Sequence, residues 1–189
     1  MPAAQIIDLF HLDKEPDFGT LKSGGVQGVI LKSSQGASER DDAFEGWLSR
    51  AVEVFTAPMV HAYHMLTGED PVAQIENFLE ASVNCPHRWL DYEDPCPSLD
   101  IAVAACHDLA QKQGKFPGLY GSDQGQLGMA LLQGHFSVCP LWVARYSSTP
   151  PLHACDLWQW GEASSSLVYD SSTYLGRSSK TLAAFMAGV

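Results

Sequence analysis

Residues 58–79 read PMVHAYHMLTGEDPVAQIENFL, and this stretch predicts a strand, a turn and a helix in succession. The short apolar run Pro58–Met65 is typical of a buried strand. Asp70 is a suitable N-cap, and Pro71 fits the first helical position, where its missing N–H costs nothing. The apolar stripe of the predicted helix consists of Val72, Ile75, Phe78 and Leu79. The stretch therefore predicts one βα unit.

The same alternation extends from this unit in both directions along the chain. The predicted strands are Gln5–Leu9, Val26–Leu31, Pro58–Met65, Arg88–Tyr92, Pro117–Tyr120, Pro140–Arg145, Asp156–Trp160 and Ser166–Tyr169. The predicted helices are Asp42–Phe55, one that starts at Asp70, one from Pro97 to Gly114, and Ser179–Met186. Residues 122–134 are predicted to be irregular or weakly helical. The loops between the last three strands are rich in Pro, Ser and Gly and leave no room for helices.

Eight strands in so short a chain predict a shortened barrel. A parallel barrel with eight full βα units usually needs about 250 residues. The 189 residues of this chain leave about 24 for each strand and its connection. We therefore expect an α/β fold of the TIM-like barrel type, with helices after the early strands only. No linker or repeat divides the chain, so residues 1–189 are predicted to form a single domain.

The composition of the chain excludes several classes of partner. Asp and Glu number 22 against 11 Lys and Arg, which gives a formal net charge of -11. Because the chain has no basic run, we expect neither nucleic acid nor an anionic membrane surface as a partner. No apolar stretch approaches the roughly 18–20 residues that a membrane span needs. The first residues lack a positive segment, and Asp8 interrupts their apolar run, so we expect no secretory signal.

The cysteines and histidines form no metal-binding pattern. The five cysteines, with no CxxC pair among them, are Cys85, Cys96, Cys106, Cys139 and Cys155. Their odd number and scattered spacing favour small buried thiols in a reducing compartment, with one disulfide or one reactive thiol as the alternatives. His61 and His64 are three residues apart, which on a strand puts them on opposite faces, so they cannot hold one metal ion together. We expect neither a metal nor another cofactor.

Four carboxylates follow predicted strands, at the end of a βα barrel where active sites lie. Asp8 follows the first strand, Asp91 and Glu93 the fourth, and Asp170 the last. Asp91 and Glu93 are two residues apart and project to the same face of an extended backbone. Close carboxylates repel each other, which raises at least one pKa and keeps a proton available for acid-assisted cleavage of a glycosidic bond. The alternative is that WLDYEDP, residues 89–95, is only a strand that runs into an acidic, solvated loop.

Aromatic residues cluster near the predicted strand ends, where flat rings could stack against sugar faces. They are Tyr63, Tyr120, Trp142, Tyr146, Trp158 and Trp160. Most Trp and Tyr side chains in proteins simply belong to the core, which is the alternative for each of these residues.

Several motifs, in one order over nearly the whole length, carry a resemblance to a known family. They are IIDLFH at 6–11, GVQGVILKSSQG at 25–36, the Asp, Phe and Trp of 41–47, AYH at 62–64, LDYED at 90–94, GLYG at 118–121, LWVARY at 141–146, LWQW at 157–160 and VYDSSTYLG at 168–176. The chain resembles the glycoside hydrolase family 25 lysozymes, the Chalaropsis-type muramidases. It looks most like their compact, single-domain versions found as phage endolysins.

The resemblance implies a fold of five βα units followed by three strands with few or no helices. It implies hydrolysis of the β-1,4 bond between N-acetylmuramic acid and N-acetylglucosamine, with Glu93 as general acid/base and Asp91 assisting. Asp8 and Asp170 would complete the acidic cluster, without a cofactor. The implied lining of the saccharide groove is Tyr63, Tyr120, Trp142, Tyr146 and Trp160. The implied partner is the glycan strand of peptidoglycan, and we expect a monomer that accumulates in the cytoplasm without a signal peptide and acts on the cell wall after release.

Three departures from the family pattern leave the four carboxylates intact. Gln35 stands where the family often has Glu, Ser172 stands where Asn is common, and LFHLD at 9–13 differs from the commoner sequence. Two other functions stay open: a non-catalytic binder of peptidoglycan or chitooligosaccharide, and a barrel glycosidase that acts on another N-acetylated glycan. The placement of Asp91 and Glu93 on one strand favours attack by the substrate's own acetamido group over a covalent glycosyl-enzyme on Asp91.

Overall fold

The computed structural model describes residues 3–96, 98–161, 169–177 and 179–189. Its strands are β1 Ile6–Leu9, β2 Gly28–Gln35, β3 Glu39–Arg40, β4 Val60–Met65, β5 Arg88–Asp91, β6 Gly118–Ser122, β7 Leu141–Ala144, β8 Leu157–Gly161 and β9 Asp170–Tyr174. Its α-helices are α1 Phe18–Ser23, α2 Phe44–Phe55, α3 Pro71–Ala81, α4 Leu99–Gln113, α5 Gln126–Leu132 and α6 Leu182–Met186. A short 3-10 helix, Ala57–Met59, precedes β4.

Eight of these strands close into a barrel. Around the barrel the order is β1, β2, β4, β5, β6, β7, β8 and β9, and β9 pairs again with β1. Neighbours from β1 to β8 are parallel, whereas β9 is antiparallel to both β8 and β1. The two-residue β3 pairs antiparallel with the end of β2. The predicted α/β, TIM-like barrel is therefore confirmed, with the last strand reversed.

Helices follow the early barrel strands, as the length of the chain predicts. α1 follows β1, α2 follows β2 and β3, and α3, α4 and α5 follow β4, β5 and β6. In the parts of the chain that the structure describes, no helix separates β7, β8 and β9. Helix α5, only 7 residues long, lies in the stretch 122–134 that the sequence predicts as weakly helical. The prediction omits α1, a short helix in which Phe18 is the buried residue.

The last strand lies further along the chain than the sequence predicts. β9 begins at Asp170, whereas the predicted strand is Ser166–Tyr169, of which residues 166–168 lie outside the described residues. The sequence DSSTY of β9 has no apolar alternation. The strand forms because both of its edges are hydrogen-bonded, one to β1 and the other to β8. Backbone pairing on two sides satisfies the polar groups of a strand whose side chains give little signal.

Helix α2 packs on the barrel as its sequence predicts, whereas α3 differs at one position. The buried face of α2 consists of Phe44, Trp47, Leu48, Ala51 and Phe55. In α3, Ile75 and Phe78 are buried, but Val72 is 46% exposed because it lies in the first turn, beside the N-cap Asp70. Gln74 is buried instead, and its amide nitrogen donates to two backbone carbonyl groups of the preceding loop.

Large aromatic side chains fill the middle of the barrel. Trp89 and Trp142 are buried and meet edge to face, with ring centroids 5.7 Å apart. Gly118 makes room for them, since a Cβ at this position would lie 2.1 Å from the Trp89 ring. The indole nitrogen of Trp89 donates to His61 Nδ1 over 2.8 Å, and burial lowers the pKa of His61 to about 3. The interior is thus a packed core, and a ligand site must lie at an end of the barrel.

The histidines of β4 and the cysteines are buried as structural residues. His64 lies on the outer face of β4, where its ring stacks on Phe78 of α3, so His61 and His64 point apart as predicted. All five cysteines are buried and free, and the sulfur atoms of Cys106 and Cys139 are 3.6 Å apart. Within the described ranges, no helix is long and apolar enough to cross a membrane.

Candidate active site

A cavity of about 280 Å³ opens at the carboxyl ends of the parallel strands. Its lining residues are Asp8, Phe10, Asp13, Lys32, Tyr63, Met65, Asp91, Glu93, Tyr120, Trp142, Tyr146 and Asp170. All four carboxylates predicted from the sequence lie in this lining, together with four of the five predicted groove residues. The barrel therefore brings together side chains that are separated by up to 162 residues along the chain.

Asp8 and Asp170 form one wall of the cavity as register partners on the antiparallel strands β1 and β9. The Cβ atoms of such partners stand about 4.5–5.5 Å apart on one face of a sheet. Burial raises the pKa of Asp8 well above its usual value, and the adjacent charge of Asp170 adds to the effect. Asp13 and Asp91 act in the same direction more weakly. Since like charges crowd this wall, it favours positive charge in a ligand.

Asp91 and Glu93 lie at the end of β5 and line the same cavity. Asp91 is 7% exposed, and its Oδ1 atom has no hydrogen-bond partner among the described residues. Burial raises the pKa of Asp91 well above its usual value, and Glu93 adds to this, whereas Lys32 opposes it. Glu93 is partly exposed, and burial, then the charge of Asp94, raises its pKa as well. The pair combines a buried carboxylate that lacks a partner with a more accessible acid.

Lys32, on β2, is the only basic residue in the described lining of the cavity. Its Nζ atom donates to Gln35 Oε1 over 2.7 Å and lies 5.9 Å from the centroid of the Phe10 ring. Burial lowers the pKa of Lys32, and the charge of Asp91 opposes this shift. Because residue 35 is Gln and not Glu, its side chain brings no negative charge against Lys32. The charge of Lys32 therefore acts on Asp91 first, then on Asp41 and Glu39, and on a ligand in the cavity.

Gln159, on β8, joins Asp8 to two tyrosines, and the sequence analysis does not predict it as a site residue. Its Nε2 atom donates to Oδ1 and Oδ2 of Asp8 over 2.9 and 3.0 Å. Its Oε1 atom accepts hydrogen bonds from the hydroxyl groups of Tyr120 and Tyr146 over 2.6 and 2.9 Å. The sequence feature that points to Gln159 is the alternation in LWQW, residues 157–160, which puts Gln159 on the opposite face of the strand from Trp158 and Trp160.

Aromatic side chains complete the lining of the cavity. The indole nitrogen of Trp142 donates to Ser172 Oγ over 2.9 Å, and its ring centroid lies 4.3 Å from that of Tyr120. Tyr146 is 52% exposed, so its ring is accessible from solvent. Tyr63 lies on β4, and burial raises its pKa well above the usual value. Fixed rings beside an accessible one suit a cyclic ligand with polar substituents.

Trp160 does not line this cavity, contrary to the expectation from the sequence. Its indole nitrogen donates to Thr173 Oγ1 over 3.1 Å, and the side chain packs in the same core as Trp158. Leu157 and Gln159 take the inward positions of β8, so the alternation of the strand turns both tryptophans outward. The sequence does not reveal which set of alternating side chains points into the barrel, because β8 is buried on both faces.

The chain matches a family model, glycosyl hydrolases family 25, over residues 7–167. Its fold is similar to that of a muramidase from Trichobolus zukalii, with 20% identity, coverage of 99% of this chain and 100% of that chain, and a TM-score of 0.78. For a family 25 lysozyme from Aspergillus fumigatus, the identity is 20%, the coverage 97% of both chains, and the TM-score 0.76. For the catalytic domain of an endolysin from a Listeria monocytogenes bacteriophage, the identity is 20%, the coverage is 97% of both chains, and the TM-score is 0.79.

These comparisons carry different weight. A sequence comparison with curated proteins finds no match. The likeness to solved structures, at 20% identity, shows the fold. The family match spans most of the sequence and includes Asp8, Asp91 and Glu93. The chain belongs to glycosyl hydrolases family 25 and is a glycosidase.

Proposed function

We propose that this glycosidase is an N-acetylmuramidase, or lysozyme, which cleaves the β-1,4 bond between N-acetylmuramic acid and N-acetylglucosamine in peptidoglycan. Its family and the muramidase, lysozyme and endolysin among the proteins of similar fold support peptidoglycan as the substrate class. The observation that carries the proposal is the pair Asp91 and Glu93, two residues apart in one cavity at the end of β5. Glu93 acts as general acid/base, and Asp91 assists.

Glu93 is suited to protonate the leaving oxygen. Its pKa is raised by burial and by Asp94, which favours the protonated form that a general acid needs. Glu93 also borders a second depression of about 270 Å³. The other residues of that depression are Asp94, Ser122, Gly125 and Gln126. A glycosidic bond held at Glu93 has one sugar in the main cavity and its leaving sugar in this depression.

Asp91 is suited to hold the acetamido group of the sugar in the main cavity. Its buried Oδ1 atom has no hydrogen-bond partner among the described residues, and the N–H of an acetamido group supplies the missing donor. The acetamido oxygen then attacks C1 while Glu93 protonates the departing oxygen, and the resulting oxazolinium carries a positive charge that Asp91 stabilises. A water molecule gives its proton to Glu93 and attacks C1, which reopens the oxazolinium ring with net retention of configuration.

Attack by the acetamido group fits the geometry better than a covalent intermediate on Asp91. Asp91 is the last residue of β5 and Glu93 follows two positions later, so both carboxylates approach the sugar from the β5 side of the cavity. A nucleophilic carboxylate and its acid partner must reach opposite faces of the sugar ring. Asp8 and Asp170 complete the acidic wall, whose charge favours the positive charge that develops at C1.

The proposal extends to the glycan contacts and to the protein as a whole. The rings that contact the saccharide are Tyr63, Tyr120, Trp142 and Tyr146. The protein acts as a monomer on the glycan strands of peptidoglycan. It accumulates in the cytoplasm and reaches the cell wall after release. Size-exclusion chromatography and fractionation of the producing cells test these two statements.

Mass spectrometry of digested cell walls tests the enzymatic proposal. Purified peptidoglycan is incubated with the protein, and the new reducing ends are reduced with borohydride. We expect reduced ends on muramic acid, and none when Glu93→Gln is used in the same digest. Reduced ends on glucosamine would show that another bond is cleaved. Wall binding without any product would favour a non-catalytic binder, and cleavage restricted to chitooligosaccharides would favour a different N-acetylated substrate.

A further inference from the structure

Gln159 makes hydrogen bonds with three residues that line the cavity, although it is itself fully buried behind them. Its Nε2 atom donates to both carboxylate oxygens of Asp8, over 2.9 and 3.0 Å. Its Oε1 atom accepts from the hydroxyl groups of Tyr120, over 2.6 Å, and Tyr146, over 2.9 Å. The side chain thus links β1, β6, β8 and the segment that follows β7.

The chemistry of these contacts fixes the direction of each hydrogen bond. An amide oxygen only accepts, so both tyrosines must donate their hydroxyl protons to Gln159. In this orientation the amide nitrogen meets both carboxyl oxygens of Asp8, over 2.9 and 3.0 Å. The phenol oxygens of Tyr120 and Tyr146 therefore have no proton left for the cavity, and they present lone pairs to it.

On the basis of the proposed function, we infer that Gln159 is a positioning residue that makes Tyr120 and Tyr146 accept hydrogen bonds only from the sugar and that favours the ionised form of Asp8 beside them. Its amide nitrogen opposes the rise in the pKa of Asp8, and its amide oxygen accepts the hydroxyl protons of Tyr120 and Tyr146. The sugar groups that meet the two tyrosines must then be O–H or N–H donors. A sugar whose substituent there can only accept, such as a fluorine or an alkyl ether, is rejected because two acceptors face each other.

Other charged groups act on Asp8, and the test must separate them from Gln159. Asp170 faces Asp8 from β9, Asp91 from β5 and Asp13 from the loop after β1, and all three disfavour its ionised form. Lys32 is the cation of the same cavity, on β2. The hydrogen bond from Gln159 acts in the opposite direction to the three carboxylates.

Carboxyl NMR titration of Asp8 tests the first half of the inference. The ¹³C signal of Asp8, assigned with Asp8→Asn, is followed in the wild type, Gln159→Met and Gln159→Glu. Both variants remove the donor to Asp8, so the pKa of Asp8 should rise, while Gln159→Glu still accepts from the tyrosines. Gln111→Met, the same chemical change at an exposed position of α4, should leave the titration unchanged. An Asp8 midpoint that stays constant in a folded Gln159 variant would overturn the inference.

Binding of fluorinated sugars tests the second half. A trisaccharide of N-acetylglucosamine and analogues with single hydroxyl groups replaced by fluorine are titrated calorimetrically into Glu93→Gln. We expect at least one analogue to bind about tenfold more weakly than the parent, the usual scale of one hydrogen bond to a buried acceptor. The difference should shrink when Tyr120→Phe and Tyr146→Phe are added. Equal binding of the parent and all analogues would contradict the inference.

The two proposals fail in distinguishable ways. If wild-type digests contain no new muramic acid ends, the proposed function fails. The titration of Asp8 then still tests whether Gln159 acts on the Asp8 carboxyl group. If digestion proceeds as proposed, Gln159→Met should lower kcat/KM by roughly tenfold or more and move the acidic limb of its pH profile upward. A loss of activity without movement of that limb would point to a structural role only and would contradict the inference.

Discussion

Asp8 on β1 and Asp170 on β9 are register partners, although 162 positions separate them in the sequence. The pairing is antiparallel, so the first residue of β9 lies at the same end of the barrel as the last residues of the parallel strands. Two carboxylates thereby stand side by side at the cavity that also holds Asp91 and Glu93. The reversed direction of the closing strand thus brings Asp170 to the acidic site.

Replacement of Glu93 by Gln should abolish lysis and preserve the fold. Glutamine keeps the shape of the side chain but cannot donate the proton, and general acid catalysis contributes about 10²–10⁴-fold. The release of muramic acid ends measures the loss, and circular dichroism verifies the fold. Glu53→Gln, at an exposed position of α2, is the matched control and should retain full activity. Turnover near the wild-type rate in Glu93→Gln would refute its role as the acid.

Replacement of Asp91 by Asn should remove about 3 kcal/mol of transition-state stabilisation, the scale of one preorganised electrostatic contact, and kcat should fall accordingly. The amide can still meet the acetamido group but does not balance the charge of the oxazolinium. NMR of the first product should show retained anomeric configuration in the wild type. A covalent adduct on Asp91, trapped with a 2-fluoro sugar and located by peptide mass spectrometry, would instead establish the glycosyl-enzyme route.

The same Asp91→Asn variant should be more stable than the wild type at neutral pH, by on the order of 1–3 kcal/mol. The folded-state pKa of Asp91 is raised, so between the usual and the raised pKa the native state binds more protons than the unfolded state. Stability therefore falls as pH rises through this interval, and the variant escapes the loss. Urea unfolding at pH 7 and again below the usual Asp pKa should show the advantage only at pH 7. An equal advantage at both pH values would mean that the charge is not its cause.

Replacement of Asp94 by Asn should move the alkaline limb of the pH–activity profile to lower pH. The charge of Asp94 is the second cause, after burial, of the raised pKa of Glu93. Without it, Glu93 loses its proton at lower pH, and the acid form needed for catalysis is depleted earlier. Asp100→Asn, an exposed change in the first turn of α4, is the control. An unmoved alkaline limb in Asp94→Asn would separate that limb from Glu93.

Replacement of Gln126 by Ala should weaken cleavage of oligosaccharides and spare aryl glycosides. Gln126 lines the second depression, and its Nε2 atom donates to Asp94 Oδ1 over 3.1 Å. Within the part of the chain that the structure describes, its buried Oε1 atom has no hydrogen-bond partner. If the leaving sugar occupies this depression, as proposed, its polar groups contact Gln126, whereas an aryl leaving group would make no polar contact there. We expect kcat/KM to fall by about tenfold for the oligosaccharide alone. An equal fall for both substrates would place the leaving sugar elsewhere.

Local sequence decides the features that depend on neighbouring residues. The spacing of Asp91 and Glu93 puts both side chains on one face of an extended chain, and the structure has both in one cavity. The stripe of α2 and the opposite directions of His61 and His64 follow from the periods of a helix and a strand. The short loops after the last strands follow from chain length. These features need no knowledge of distant residues.

Tertiary structure alone decides the features that depend on which distant residues meet. The pattern LWQW alternates along β8, but both faces of this strand are buried, so the pattern does not show which face points into the barrel. Only the closed barrel turns Gln159 toward Asp8 and turns Trp160 away from the cavity. β9 carries no apolar pattern, so its position and reversed direction come from pairing with β1 and β8. The raised pKa of Asp8 has the same origin, since a charge is costly only where the folded chain excludes water and gathers other carboxylates.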